Sequence, residues 1–248
     1  MKSVFAAEWR KQRPAALLLP LCSGPLLIFA ACWTMMLYLT KNGRTAEQAF
    51  RVLYELCTLT WSYLIIFVVM MFTLLVSGVE HKSGMWPVLL STPHAKWKHF
   101  FVKVILATLL VQLFGLILWL LMGGLGFIFG GTFPEPLLYT AFLFALPFVV
   151  FQTSATVVVE NPYISVSIGM AVFLFHAVLP YWWLPWGPLA ELWRAGTQAN
   201  SLLPVLMLVS TLGYGMLSLL IFYQKTFSSG GECNGKLSAG VFGRMDQN

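Results

Sequence analysis

Charge falls along the 248-residue chain in short clusters separated by long uncharged windows. The windows run 14–40, 56–79, 104–134, 136–159, 161–190 and 195–224. Each exceeds the roughly 20 residues that a helix needs to cross about 30 Å of hydrocarbon. Backbone in lipid must satisfy its own hydrogen bonds, so long apolar runs read as helices. A β-barrel would show alternating segments of about ten residues, and these windows do not alternate. The pattern predicts an all-α integral membrane protein with six transmembrane helices, centred near Leu27, Val68, Gly115, Phe148, Met170 and Leu212. The first window is longer than the roughly 7–15 apolar residues of a secretory signal. Leu21 also stands before Cys22 where a lipoprotein processing site needs a small residue, so this window reads as a retained helix.

Composition agrees. Hydrophobic residues make up 58% of the chain and charged residues 10%, with mean hydropathy +0.78. A soluble domain carries about 25% charged residues, so this chain lacks the means to cover a water-facing surface. Lysine and arginine placement sets the orientation. Of fifteen such residues, only Lys41, Arg44, Arg51 and Arg194 fall in segments that are outer when the N-terminus is inside. Both termini and the 78–104 segment are therefore expected in the cytoplasm. The net charge of +6 reflects this topology and attraction to an anionic inner leaflet, with no nucleic-acid partner implied.

Residues 1–224 read as a single transmembrane domain. Its first 13 residues form an interfacial helix that sets Phe5 and Trp9 four apart on one side. Residues 41–55 read as a short polar outer loop, and Gly123–Pro136 as a glycine-loosened end of span three. Glu160-Asn161-Pro162 makes an inner hairpin between spans four and five. Beyond span five, Trp182, Trp183, Trp186 and Trp193, broken by Pro180, Pro185 and Pro188, suit the outer headgroup layer. They predict a short re-entrant or interfacial helix around 184–194, before span six. Residues 225–248 are Gly- and Ser-rich and read as a flexible cytoplasmic tail.

Chemistry is sparse. Gly230–Lys236 matches the start of a phosphate-binding loop, but Leu237 stands where Ser or Thr must reach magnesium, and no buried strand precedes it. The chain is thus expected to bind no nucleotide itself and to have no catalytic residues. The histidines lack metal-ligand spacing, and no cysteine pair has metal or redox spacing, which leaves the cysteines as small apolar fillers and a tail thiol. No charged residue falls at mid-membrane depth, where ion-coupled carriers keep them. The deepest polar groups are Gln112, Gln152 and His176, and the two glutamines are expected to bond across helices.

The segment 78–104 stands out. It carries Glu80, His81, Lys82, His94, Lys96, Lys98, His99 and Lys103, yet Met85, Trp86, Val88, Leu89 and Leu90 form an apolar cluster with no purpose in a solvated loop. Gly84 and Pro87 can start a short helix there, and Ser91-Thr92-Pro93 can stop it, because a residue before proline avoids helical angles. A short apolar-faced helix with basic flanks on the inner surface is a docking knob for a soluble partner.

Glu80, Lys82, Gly84, Leu89-Leu90, Pro93, Lys96, Lys98 and Lys103 together resemble the coupling-helix region of ABC-2-type permeases. The wider layout is similar too, with its inner N-terminal helix, six spans, tight inner turn and outer element before the last span. Within that family, a stand-alone subunit of this size resembles the permeases that protect bacteria from lantibiotics and related peptide antibiotics. Met85 and Trp86 depart from the small or threonine residue that many members carry after the glycine. The resemblance implies a multi-pass protein of the bacterial plasma membrane, paired with a second permease subunit as a homodimer or with a sister chain. It also implies a cytoplasmic ATPase dimer as partner, which supplies ATP and magnesium, docked on Glu80, Lys82, Gly84, Met85, Trp86, Leu89, Leu90 and Pro93. The tryptophans Trp182, Trp183, Trp186 and Trp193 suit an amphipathic substrate lodged in the membrane. Two other classes compete: a non-transporting sensor or assembly partner, and a secondary transporter, which would need mid-membrane charges and inverted repeats.

Overall fold

A computed structural model describes residues 2–11, 14–83, 96–129, 137–159, 161–175, 184–185 and 204–221. These residues form helices joined by turns, with no strand among them. In chain order the helices are α1 (Lys2–Lys11), α2 (Pro14–Lys41), α3 (Ala46–Ser83), α4 (Lys96–Ile128), α5 (Leu137–Phe144), α6 (Leu146–Val158), α7 (Pro162–Phe175) and α8 (Pro204–Ile221). Three stretches are long and apolar enough to cross a membrane: Ala16–Lys41, Trp97–Ile128 and Pro204–Ile221. Tyr63–Gly78, Leu146–Val158 and Tyr163–Phe175 are apolar but shorter.

Apolar residues fill the core and also coat the outside of the helices, and some polar residues are buried among them. Leu19, Leu27, Leu109, Leu120, Leu212 and Met216 are exposed, whereas Thr73, Ser77, Gln152, Thr153, Thr156 and Ser165 are buried. Exposed leucines are ordinary when scattered, but continuous apolar coats mark contact with something apolar. The buried hydroxyls bond carbonyls of their own helices, as Thr73 does to Val69 and Thr153 to Val149.

The turn between α2 and α3 explains why this connection is shorter than its charges imply. The Gly43 amide donates to the Thr40 carbonyl and the Arg44 amide to the Leu39 carbonyl, with Gly43 at φ +85°. This closes α2 in a Schellman motif, which needs a residue that tolerates left-handed φ. Thr45 and Gln48 then exchange hydrogen bonds of 3.3 Å, side chain to backbone in both directions. That capping box starts α3 at once. The expected loop over 41–55 is therefore a four-residue turn, and Ala46–Glu55 is already helix: charges end the membrane stretch but not the helix.

Span three differs in the same sense. α4 continues through Gly123, Gly124 and Gly126 to Ile128, instead of loosening at the first glycine. Gly123 and Gly126 are buried, and a helix that satisfies every backbone group outweighs the conformational cost of glycine in an apolar setting. The hairpin after α6 falls where the sequence puts it. Asn161 caps α7 by accepting from the Tyr163 amide at 2.9 Å, and Pro162 takes the first helical position, where its missing N–H costs nothing.

α3 is the hub, packing on α2, α4, α5, α6 and α7. Trp61, Ile65, Ile66, Val69, Phe72 and Val76 are buried along it. Trp61 and Phe114 both meet the Phe142 ring, with centroids at 5.9 and 6.4 Å. Gly115 makes room for that ring, since a Cβ there would lie 2.5 Å from Phe142 Cγ. At the same level the chain breaks between α5 and α6 at Ala145, just ahead of Pro147. Gln112 Nε2 donates to the Phe142 carbonyl there at 2.8 Å, supplying a partner where regular helix bonding is interrupted.

Candidate functional site: an ion cluster at the end of the bundle that holds α1

Among the described residues, charge concentrates most where α1, α3 and α4 meet. α1 turns Phe5 and Glu8 inward, three residues apart on one face; Phe5 packs on the core and Glu8 is 1% exposed. Trp9, expected beside Phe5, is instead 47% exposed. The inward place next to Phe5 is taken by a carboxylate because partners wait for it on α4.

Those partners are one helical turn apart. His99 Nδ1 lies 2.8 Å from Glu8 Oε1, and Lys103 Nζ lies 3.5 Å from Oε2. Lys11, three residues along α1, reaches Oε1 at 3.0 Å. Lys103 is fully buried and also donates to the Val76 carbonyl of α3 at 3.3 Å. One carboxylate thus gathers three basic groups and joins three helices. Burial acts to raise the Glu8 carboxyl, but the His99 hydrogen bond, the Lys103 charge and the Lys11 contact outweigh it. The group is held well below its ordinary value. A charge buried this deeply persists only where it is paired and hydrogen-bonded.

Neighbouring contacts extend the joint. Thr156 of α6 donates to Ser77 Oγ of α3 at 3.1 Å. Phe100 and Val157 form a small apolar cluster that Leu219 of α8 packs against. The start of α4, the end of α3, the end of α6 and the end of α8 therefore share one end of the bundle with α1. A second polar layer lies deeper, where Gln152 Nε2 donates to the Ser165 carbonyl of α7 at 3.0 Å. Both glutamines thus bond across helices, as expected from their depth.

Glu80 and Lys82 lie in the last turn of α3, as Ala46–Ser83 runs. Gly84, Met85, Trp86, Leu89, Leu90 and Pro93 lie outside the described residues, as do Trp182, Trp183, Trp186, Trp193, His176 and the 225–248 tail. The structure brings Val76 of α3, seven residues before Ser83, against Lys103 of α4, seven residues after Lys96. The 84–95 connection is therefore rooted on both sides in the cluster. Sequence reading missed Glu8, although one signal was present: it is the only acidic residue before Glu47, and four basic residues, Lys2, Arg10, Lys11 and Arg13, surround it. The arrangement is electrostatic fastening, with no nucleophile and base paired. Among the described residues no three His, Cys, Asp or Glu side chains gather to hold a metal ion. Compared with known protein families, with curated proteins and with solved structures, the chain matches none.

Proposed function

We propose that this chain is the membrane-spanning permease subunit of an ATP-driven transporter of the ABC-2 type, expelling an amphipathic substrate such as a lantibiotic-like peptide from a bacterial plasma membrane. In this reading six spans cross the bilayer, both termini face the cytoplasm, and two permease subunits flank the path. The observation that supports it best is the Glu8–His99–Lys103 cluster. A transmitted push needs a stiff base, and the cluster clamps α1, α3 and α4 together on both sides of the 84–95 connection. A cytoplasmic ATPase dimer closing on ATP and magnesium would press on that connection. The clamp would pass the displacement to α3, the helix that touches most of the bundle. The aromatic residues Trp182, Trp183, Trp186 and Trp193 would receive the substrate at the outer face.

The test is isolation of the complex from native membranes. The wild-type chain should bring down an ATPase subunit carrying a complete phosphate-binding loop. The Glu80→Ala, Leu89→Ala double variant should insert normally and lose it. An ATPase retained by the double variant, or none with the wild type, overturns the docking assignment. Replacing Trp182, Trp183 and Trp186 by alanine together should lower peptide resistance while insertion and ATPase association persist. Undiminished resistance removes them from the substrate path.

A further inference from the structure

Cys32 and Cys57 are 25 residues apart in the chain, and their sulfurs stand 3.8 Å apart between α2 and α3. They are 7% and 8% exposed. Neither spacing nor composition marks them as a pair. The turn does: α2 closes in its Schellman motif, α3 opens in its capping box, and only 42–45 intervene. A turn fixed at both ends sets the register of two antiparallel helices, so the residue nine before Lys41 always faces the one eleven after Ala46.

Depth matters as well. Glu55, exposed, precedes Cys57 by two residues and is the last charged residue of α3 before Glu80. On α3 the pair thus stands at the start of the apolar stretch, while on α2 it lies nine residues inside Lys41, in the half of the helix nearer the Lys41–Ala46 turn. The sulfurs, 3.8 Å apart, need a further approach to about 2.05 Å to bond.

We propose that Cys32 and Cys57 are a redox site, closing into a reversible disulfide that staples α2 to α3 when a small disulfide or a thiol–disulfide oxidoreductase meets this end of the bundle. One thiolate attacks the donor's S–S bond, forming a mixed disulfide and releasing one donor thiolate. The second cysteine then attacks the bonded cysteine sulfur, forming the Cys32–Cys57 bond and releasing the second donor thiolate. Two protons leave the protein, two electrons pass to the donor, and the donor's disulfide becomes two thiols. The inference is independent of any transport role.

The test uses the full chain in lipid nanodiscs, treated with 2-hydroxyethyl disulfide, quenched in acid, unfolded and alkylated. The expected result is one peptide pair joined through Cys32 and Cys57, loss of both alkylatable thiols in most molecules, and their return on reduction. Cys22, exposed on the same helix, should remain alkylatable or carry the small reagent. The proposal is overturned if Cys32 and Cys57 both alkylate after oxidation that modifies Cys22, or if either pairs instead with Cys22 or Cys233. A Cys22→Ser, Cys233→Ser variant should give the same joined peptide; its absence there would also overturn the assignment.

Discussion

Glu8 and His99 stand 91 residues apart in the chain and 2.8 Å apart in space. The contact carries the first helix onto the root of α4, and Lys103, one turn further along, completes the pairing from full burial. Lys103 has Val76 as a second tie, so α1 is linked to α3 through Lys103 of α4. The amphipathic helix is thus fastened to the bundle by charge where a merely interfacial helix would rest on headgroups.

Removing one partner should cost far more than removing two. Glu8→Leu leaves the Lys103 ammonium buried without its carboxylate, and breaking a buried pair from one side costs about 3–5 kcal/mol. Glu8→Leu with Lys103→Met removes both charges from the same space and should recover much of that loss. Thermal unfolding of the purified chain in one detergent, wild type against single and double variants, reads the difference. A double variant no more stable than the single would mean that the charges do not act as a pair.

The cluster also sets an acid limit. Glu8 is held below its ordinary value of 4.5, so the folded chain keeps this carboxylate charged more readily than the unfolded chain does. Its contribution is therefore complete above about 4.5 and shrinks as pH falls below it toward the lowered folded value. Wild type and Glu8→Gln should differ in unfolding temperature at neutral pH by a constant amount. The two curves should converge on acidification below that ordinary value. Curves that stay parallel into acid would place the stabilisation elsewhere.

The membrane character of the chain was legible because it depends on local runs: apolar windows announce helices whatever they pack against. The Asn161-Pro162 start of α7 and the cross-helix bonds of Gln112 and Gln152 were legible for similar reasons, cap chemistry and depth. The limits of α3 and α4 were not, because the windows were bounded by charge, whereas Glu55 and Lys96 sit comfortably in helix where it leaves the apolar layer. Glu8 was hidden by its surroundings. Four basic neighbours made α1 read as a membrane-surface element, and only the fold brings His99 and Lys103 within reach. The Cys32–Cys57 contact was hidden by the same kind of fact, a register set by two caps.

Gly115 should tolerate alanine poorly. The added Cβ would lie 2.5–2.9 Å from three atoms of the Phe142 ring, and that ring is held by Trp61 and Phe114. Overpacking of this kind costs about 1–3 kcal/mol. Gly169→Ala would press on the Met70 side chain, whose flexible thioether can move aside, so its cost should be smaller. Unfolding temperatures of the two variants check the order. Gly169→Ala as the more damaging change would mean that the Phe142 ring yields more easily than its contacts imply.

α8 carries a row of exposed apolar residues, Leu208, Leu212, Met216 and Leu220. Its ties include the Ser154–Ser218 hydrogen bond to α6, the Tyr214 ring on Phe151 at 5.9 Å, and Leu219 on the Phe100–Val157 cluster. Without a hydrophobic drive between helices in lipid, such contacts decide association, and a single polar bond there averages about 0.6 kcal/mol. An aromatic pair contributes about 0.5–1.5 kcal/mol beyond its buried area, so Tyr214→Ala should loosen α8 more than Ser218→Ala. A cysteine at Ser210, a position 6% exposed in the wild type, reports the loosening through its maleimide labelling rate. The rate should rise several-fold with Tyr214→Ala, less with Ser218→Ala, and most with both, since local opening follows the free energy that holds the segment closed. Equal rates in all four backgrounds would show that α8 is kept in place by contacts other than these.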